Sequence, residues 1–186
     1  MARLPYVDPA EAAPEVREAL EALPPLNVFR TLAHAETCLR PALRLGGAIL
    51  SAQELDPGLR ELAILRVARL TGAEYEWVQH VAIARAVGVS EAQVAALAQG
   101  DAEADCFDER ERVVLRVATE VVRDAGASEA AFAAAREQLS DREVVELIVA
   151  AGYYQLLAAL MNSVDIDLDE PVGTAVIDSA AARREG

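Results

Sequence analysis

Two acids and one histidine in this chain are spaced so that a proton could pass among them: Glu61, Glu76 and His80. If the run from Glu61 to Leu70 is helical, residues three, four and seven apart share a face, and Glu61 lies over Ile64, Leu65 and Ala68. A carboxyl among such neighbours loses hydration, which suits a general acid or base. The plainer alternative is a first-turn glutamate near the positive end of its helix and open to water. Glu76 and His80 stand one helical turn apart with the acid first, so the carboxylate can orient the imidazole and select its tautomer. That makes His80 a candidate proton shuttle and Glu76 its orienter. The competing reading is a surface Glu–His pair, which Trp77, Ile83 and Ala84 on the same side of the helix weaken.

Candidate substrate contacts extend this group. Trp77 neighbours His80, and His34 ends the segment Phe29-Arg30-Thr31-Leu32-Ala33, whose docking could bring it to the same place. A histidine satisfied by a helix terminus explains His34 equally well. Gln155, Ala158, Ala159 and Asn162 form one stripe, polar at its ends and small between, with Tyr153 and Tyr154 nearby. Such a stripe either lets two helices approach closely or walls a cavity.

Helix punctuation is expected to position these residues. A short helix near Pro14 to Leu23 precedes the Pro24-Pro25 break, and Leu26 to Leu32 forms a second. Glu36 to Ser51 contains Pro41 and Gly46-Gly47, which predict a kinked or broken helix. Asp56-Pro57 opens a helix to Leu70 that Thr71-Gly72 closes, and the next runs from about Ala73 to Val87. Ser90 with Gln93 makes a capping box for a helix ending at Gly100, and 101–107 is a linker. Helices then follow over Asp108 to Ala125, from Ser128 to Leu139, and from Ser140, with Glu143 in its capping box, to about Ser163. The expected organisation is an arm over 1–25, one all-helical domain over 26–168, and a tail over 169–186, irregular and mobile at its end. Leu55 to Val81 and Leu139 to Val164 echo each other weakly, as a duplicated unit or as two helices of like composition would.

Composition narrows the function classes. At 186 residues, 53% hydrophobic but 4% aromatic, the chain has the Ala/Leu/Val mixture of packed helices in one domain. A net charge of -14, relieved only at Arg183–Arg184, argues against nucleic acid, and the lack of a basic amphipathic helix argues against a membrane surface. Val144 to Met161 is long and apolar, yet it holds Glu146 and Gln155 and reads as a core helix. Met1 to Asp8 has no secretory pattern, so a cytoplasmic protein is expected. Cys38 and Cys106 have neither redox nor zinc spacing, and Glu76 to His80 is not the Glu-x-x-His of di-iron bundles. No metal and no cofactor are expected.

The segment from Glu61 to His80 resembles the carboxymuconolactone decarboxylase and alkylhydroperoxidase D-like group. Redox members of that group carry a Glu, a Cys-x-x-Cys beginning twelve positions later, and a His four positions after the second Cys. Here Glu61, Ala73, Glu76 and His80 fall on those positions in turn. The likeness reaches back through Leu26-Asn27-Val28-Phe29-Arg30-Thr31-Leu32-Ala33-His34 and forward to Asn162, Asp165 and Asp167. It implies an all-α, alkylhydroperoxidase D-like helical bundle forming a homo-oligomer, a trimer or hexamer. With Ala73 and Glu76 where thiols would stand, no disulfide can cycle there. The resemblance therefore implies the decarboxylase branch: a cofactor-free acid/base lyase or isomerase on a small carboxylated or lactone-like substrate. His80 would be the principal acid/base, with Glu61 and Glu76 catalytic beside it and Trp77, Tyr154, Asn162 and His34 contacting substrate. A non-catalytic small-molecule-binding or scaffolding oligomer is the alternative.

Overall fold

A computed structural model describes the backbone of residues 1–185 and the side chains of all of these except 180 and 182–185. The Arg183 and Arg184 side chains thus lie outside the described ones. Ten helices and no strand are present among the described residues. They are α1 (Pro14–Glu21), α2 (Asn27–Leu32), α3 (Glu36–Ala52), α4 (Pro57–Thr71), α5 (Glu74–Ala86), α6 (Glu91–Ala98), α7 (Glu109–Asp124), α8 (Glu129–Gln138), α9 (Asp141–Val164) and α10 (Ala175–Glu185).

The helix starts follow local chemistry. Ser90 with Gln93, Asp108 with Glu111, and Ser140 with Glu143 each make a reciprocal capping box, which satisfies amide donors that no helical carbonyl can reach. Asp56 accepts from the amides of Gly58 and Leu59 ahead of α4, and Gly72, in the left-handed region at φ 66°, ends it.

The organising element is α4, which packs against α5, α6, α7 and α9. Every residue from Leu59 to Ala68 is buried, because the helix serves two clusters at once. Ala63, Ile64 and Val67 meet α7, α8 and α9, while Leu62 and Leu65 meet α5, α6 and Phe107. The long apolar α9 has the length and hydropathy of a membrane span, but Val144, Leu147, Ala151 and Tyr154 bury into the first cluster.

Two expectations need correction. Residues Glu36–Ala52 form a single helix: Pro41 lies in its interior and Gly46-Gly47 do not break it. The segment after Asp169 is not irregular throughout, since α10 forms there and packs on α3, with Val176 and Ile177 against the main core.

Candidate active site

Glu61 enters the interior because its helix does. Pro57 and the Asp56 cap set the start of α4, and one turn later Glu61 stands wholly buried where α4 crosses α5 and α9. An isolated carboxylate there would be costly, and two partners offset that cost. Arg60 Nε donates to Glu61 Oε1 at 3.0 Å, and another guanidinium nitrogen donates to the Leu50 carbonyl at 3.1 Å. His80 Nδ1 lies 2.7 Å from Glu61 Oε2. A carboxylate held by arginine only accepts, so Nδ1 carries the proton of this bond, and Nε2 is left to exchange one with a substrate.

On α5 the side chains of Glu76, Gln79, His80 and Ile83 share a face, and all four are buried. The expected bond from Glu76 to His80 does not form. Both Glu76 carboxyl oxygens are buried without a hydrogen-bond partner, so Glu61, on the neighbouring helix, orients the imidazole instead. Burial, and secondarily the negative Glu61, push the Glu76 carboxyl well above the usual carboxylate range. Burial thus favours the protonated form of Glu76, a carboxylic acid that is a donor and an acceptor at once.

Glu76, Gln79 and His80 line one side of a pocket of about 80 Å³. The remaining walls are largely apolar and come from α2, α3, α9 and α10, including Phe29, Leu43, Leu50, Leu157, Met161 and Val176. Tyr154 sets its ring edge-on to His80, with centroids 4.7 Å apart and planes at 86°. Tyr153 packs edge-on to Tyr154 and donates its hydroxyl to the Ala42 carbonyl at 3.1 Å. Burial, and then the negative Glu61, raise the Tyr154 hydroxyl well above its ordinary value, so it stays a neutral phenol.

Among the expected site residues, Glu61, Glu76, His80 and Tyr154 are brought together, and three others are not. His34 is exposed and its Nε2 bonds the Pro5 carbonyl at 2.7 Å, because the end of α2 turns toward the N-terminal arm. Trp77 packs against the cluster of Leu62 and Leu97 and does not line the pocket. Asn162 is exposed and donates to the Thr71 carbonyl at 2.9 Å, tying α9 to the end of α4. Gln155 likewise bonds the Val122 carbonyl, at 3.3 Å, instead of walling a cavity with Asn162.

The sequence reading missed Arg60, Gln79 and the pocket role of Gly46. Arg60 had a signal, since an acid placed on an apolar face needs a nearby countercharge. Gln79 and Gly46 had none, because their roles depend on which helices face them. No group of three or more metal-ligating side chains occurs among the described residues. Cys38 and Cys106 are both free, one exposed and the other half-buried.

Residues 39–120 match the Carboxymuconolactone decarboxylase family, a span that includes Glu61, Glu76 and His80. No curated protein matches the chain. Among solved structures it is similar to the alkylhydroperoxidase AhpD core of a peroxidase-related protein from Ralstonia eutropha, with a TM-score of 0.79, 23% identity, and 95% of this chain and 96% of that one covered. A peroxidase-related protein from Silicibacter sp. TM1040 gives a TM-score of 0.73 and 18% identity over 90% and 92% of the chains. A protein of unknown function from Agrobacterium tumefaciens gives 0.60 and 20% over 91% and 99%. At these identities the likeness is one of fold, an all-helical AhpD-like architecture spanning nearly the whole chain.

Proposed function

We propose that this chain, whose residues 39–120 match the carboxymuconolactone decarboxylase family and whose fold is AhpD-like, is a cofactor-free acid/base enzyme, a lyase or isomerase acting on a small carboxylated or lactone-like molecule. One observation carries the reading: a wholly buried carboxylate holds Nδ1 of a pocket-lining histidine at 2.7 Å. The pairing selects the tautomer, steadies the imidazolium formed when Nε2 takes a proton, and keeps the ring fixed while the proton is returned. Arg60 balances Glu61, so the charge of the pair is compensated before any substrate arrives.

Two reactions suit this group. In an isomerisation, a C–H bond next to a carbonyl breaks, its proton goes to Nε2, the electron pair moves into an enolate, and the proton returns at another carbon. In a decarboxylation, the C–C bond to a carboxylate breaks, carbon dioxide leaves, and His80 protonates the carbon that keeps the electron pair. A thiol peroxidase lacks its reagents here, since Ala73 and Glu76 occupy the dithiol positions.

Quantitative loss of turnover in His80→Ala, with circular dichroism and oligomeric state unchanged, is the expected result. Full activity in a Glu61→Gln/His80→Ala double variant would sink the proposal.

The apolar walls also favour a second reading, a binding protein that holds a small molecule without changing it. Native mass spectrometry separates the two, since a binder retains an unaltered ligand. The assembly we propose is a homo-oligomer, supported by the exposed Val145, Val149 and Leu156 along one side of α9. Light scattering that gives the mass of one 19.8 kDa chain would overturn it.

A further inference from the structure

Substrate charge is constrained by what the pocket does not offer. The chain has no lysine, and among the described residues lining the pocket none is an arginine. The arginine tied into the site, Arg60, is engaged by Glu61 and the Leu50 carbonyl. Among the described lining residues His80 alone can become cationic, and its Nδ1 is already held by Glu61. A substrate carboxylate would therefore enter an apolar space with no fixed cation among the described side chains, beside a buried glutamate, in a protein of net charge -14.

What the pocket does offer is an unpartnered carboxyl. Glu76 is 2% exposed and neither of its oxygens has a hydrogen-bond partner, a state that buried polar groups rarely keep unless a ligand or water completes it. Glu76 and His80 lie one turn apart on the same wall, with Cβ atoms about 5–6 Å apart in such a helical pair. A carbonyl group and its adjacent carbon fit across that interval. Beyond them Leu26, Phe29, Leu43, Leu50, Leu157 and Met161 supply hydrocarbon contact.

We propose that the substrate is a neutral carbonyl compound, a ketone, ester or lactone with an apolar body, whose carbonyl oxygen takes a hydrogen bond from the Glu76 carboxyl while its adjacent carbon faces His80. This rests on the acid/base reading and narrows it to the lactone-like branch and to isomerisation. When the α C–H bond breaks, the proton goes to His80 Nε2 and the electron pair to the carbonyl oxygen as an enolate, which the Glu76 hydrogen bond stabilises. Return of the proton restores a carbonyl, and no further reagent is consumed.

The test uses the full chain at neutral pH with two probes, γ-decalactone and carboxymuconolactone. Binding is measured by calorimetry, exchange of α-hydrogens in heavy water by NMR, and carbon dioxide release directly. The expected result is saturable binding of γ-decalactone with exchange of its α-hydrogens, and no binding of the lactone acid. Glu76→Gln, which keeps a neutral donor, binds γ-decalactone comparably, whereas Glu76→Ala weakens it about tenfold, the scale of one hydrogen bond. Tighter binding of carboxymuconolactone than of γ-decalactone, with or without carbon dioxide release, overturns the substrate class and leaves the acid/base reading intact. Failure of the wild-type protein to bind γ-decalactone also overturns the class. Binding of γ-decalactone with an exchange rate unchanged in His80→Ala does the opposite: the class stands and the acid/base reading falls.

Discussion

A Cβ built on Gly46 would stand 2.6 Å from the Tyr153 hydroxyl and 3.0 Å from its ring carbon, so α3 and α9 meet at a place where only glycine fits. The contact matters beyond packing, because Tyr153 lies edge-on to Tyr154 and Tyr154 edge-on to His80. Gly46→Ala should gain about 0.5–1 kcal/mol of helix propensity. It should lose more, about 1–3 kcal/mol, by forcing the Tyr153 ring off Ala42 and toward Tyr154. The expected outcome is a lower Tm together with weaker ligand binding. A Tm at or above that of the wild type would show that the ring moves aside freely.

Glu61→Gln should be costly to the fold as well as to the chemistry. It leaves the buried Arg60 without its carboxylate, a change worth about 3–5 kcal/mol at buried pairs. Replacing both partners, Arg60→Met with Glu61→Gln, should recover most of that stability without recovering activity. Chemical denaturation of the three proteins checks this, and a double variant no more stable than Glu61→Gln contradicts it.

Glu76 should make stability depend on pH in an unusual direction for a carboxyl. Its folded-state value is raised above the ordinary 4.5, so the folded protein holds a proton that the unfolded chain has lost. Below that ordinary value both states are protonated and burial costs little. As pH rises through the window up to the raised value, stability falls, with a limiting slope of about 1.4 kcal/mol per pH unit. Glu76→Gln removes the effect, so its stability relative to wild type should climb steadily with pH. A pH-independent difference would mean that Glu76 is ionised in the folded protein.

Asp169 ties α2 to the pocket-lining Tyr75 of α5. Its carboxylate accepts from the Tyr75 hydroxyl at 2.5 Å, from the Asn27 amide at 2.6 Å and from the Asn27 side chain at 2.7 Å, joining α2, α5 and the approach to α10. Asp169→Ala should cost at least the about 1.5–3 kcal/mol typical of one bond to a charged group. Faster amide exchange in α2 and α10 is the expected signature, and protection equal to wild type in both helices would refute the assignment.

Where a helix begins was legible because its capping needs are met within a few residues. Ser90 with Gln93 and Ser140 with Glu143 satisfy amides at their own helix starts, and no distant contact can cancel that. Gly46-Gly47 misled for the converse reason. The pair weakens a helix taken alone, but packing against Tyr153 and Leu50's neighbours in the core keeps α3 continuous. His34 and Asn162 misled because a polar side chain near a site in sequence is equally able to bond a backbone carbonyl facing elsewhere, as both do.

From its residues alone this chain determines an all-helical fold, the start and end of most helices, and the presence of Glu61, Glu76 and His80 on two successive helices, because helical periodicity and capping act over a few positions. Only the tertiary structure decides which acid serves which purpose. The angle between α4 and α5 brings Glu61, nineteen positions from His80, into contact with the imidazole, and leaves Glu76, one turn away, buried with no partner. Proximity along a helix gives a side chain the opportunity to bond, whereas the crossing of two helices and the exclusion of water between them settle whether it does.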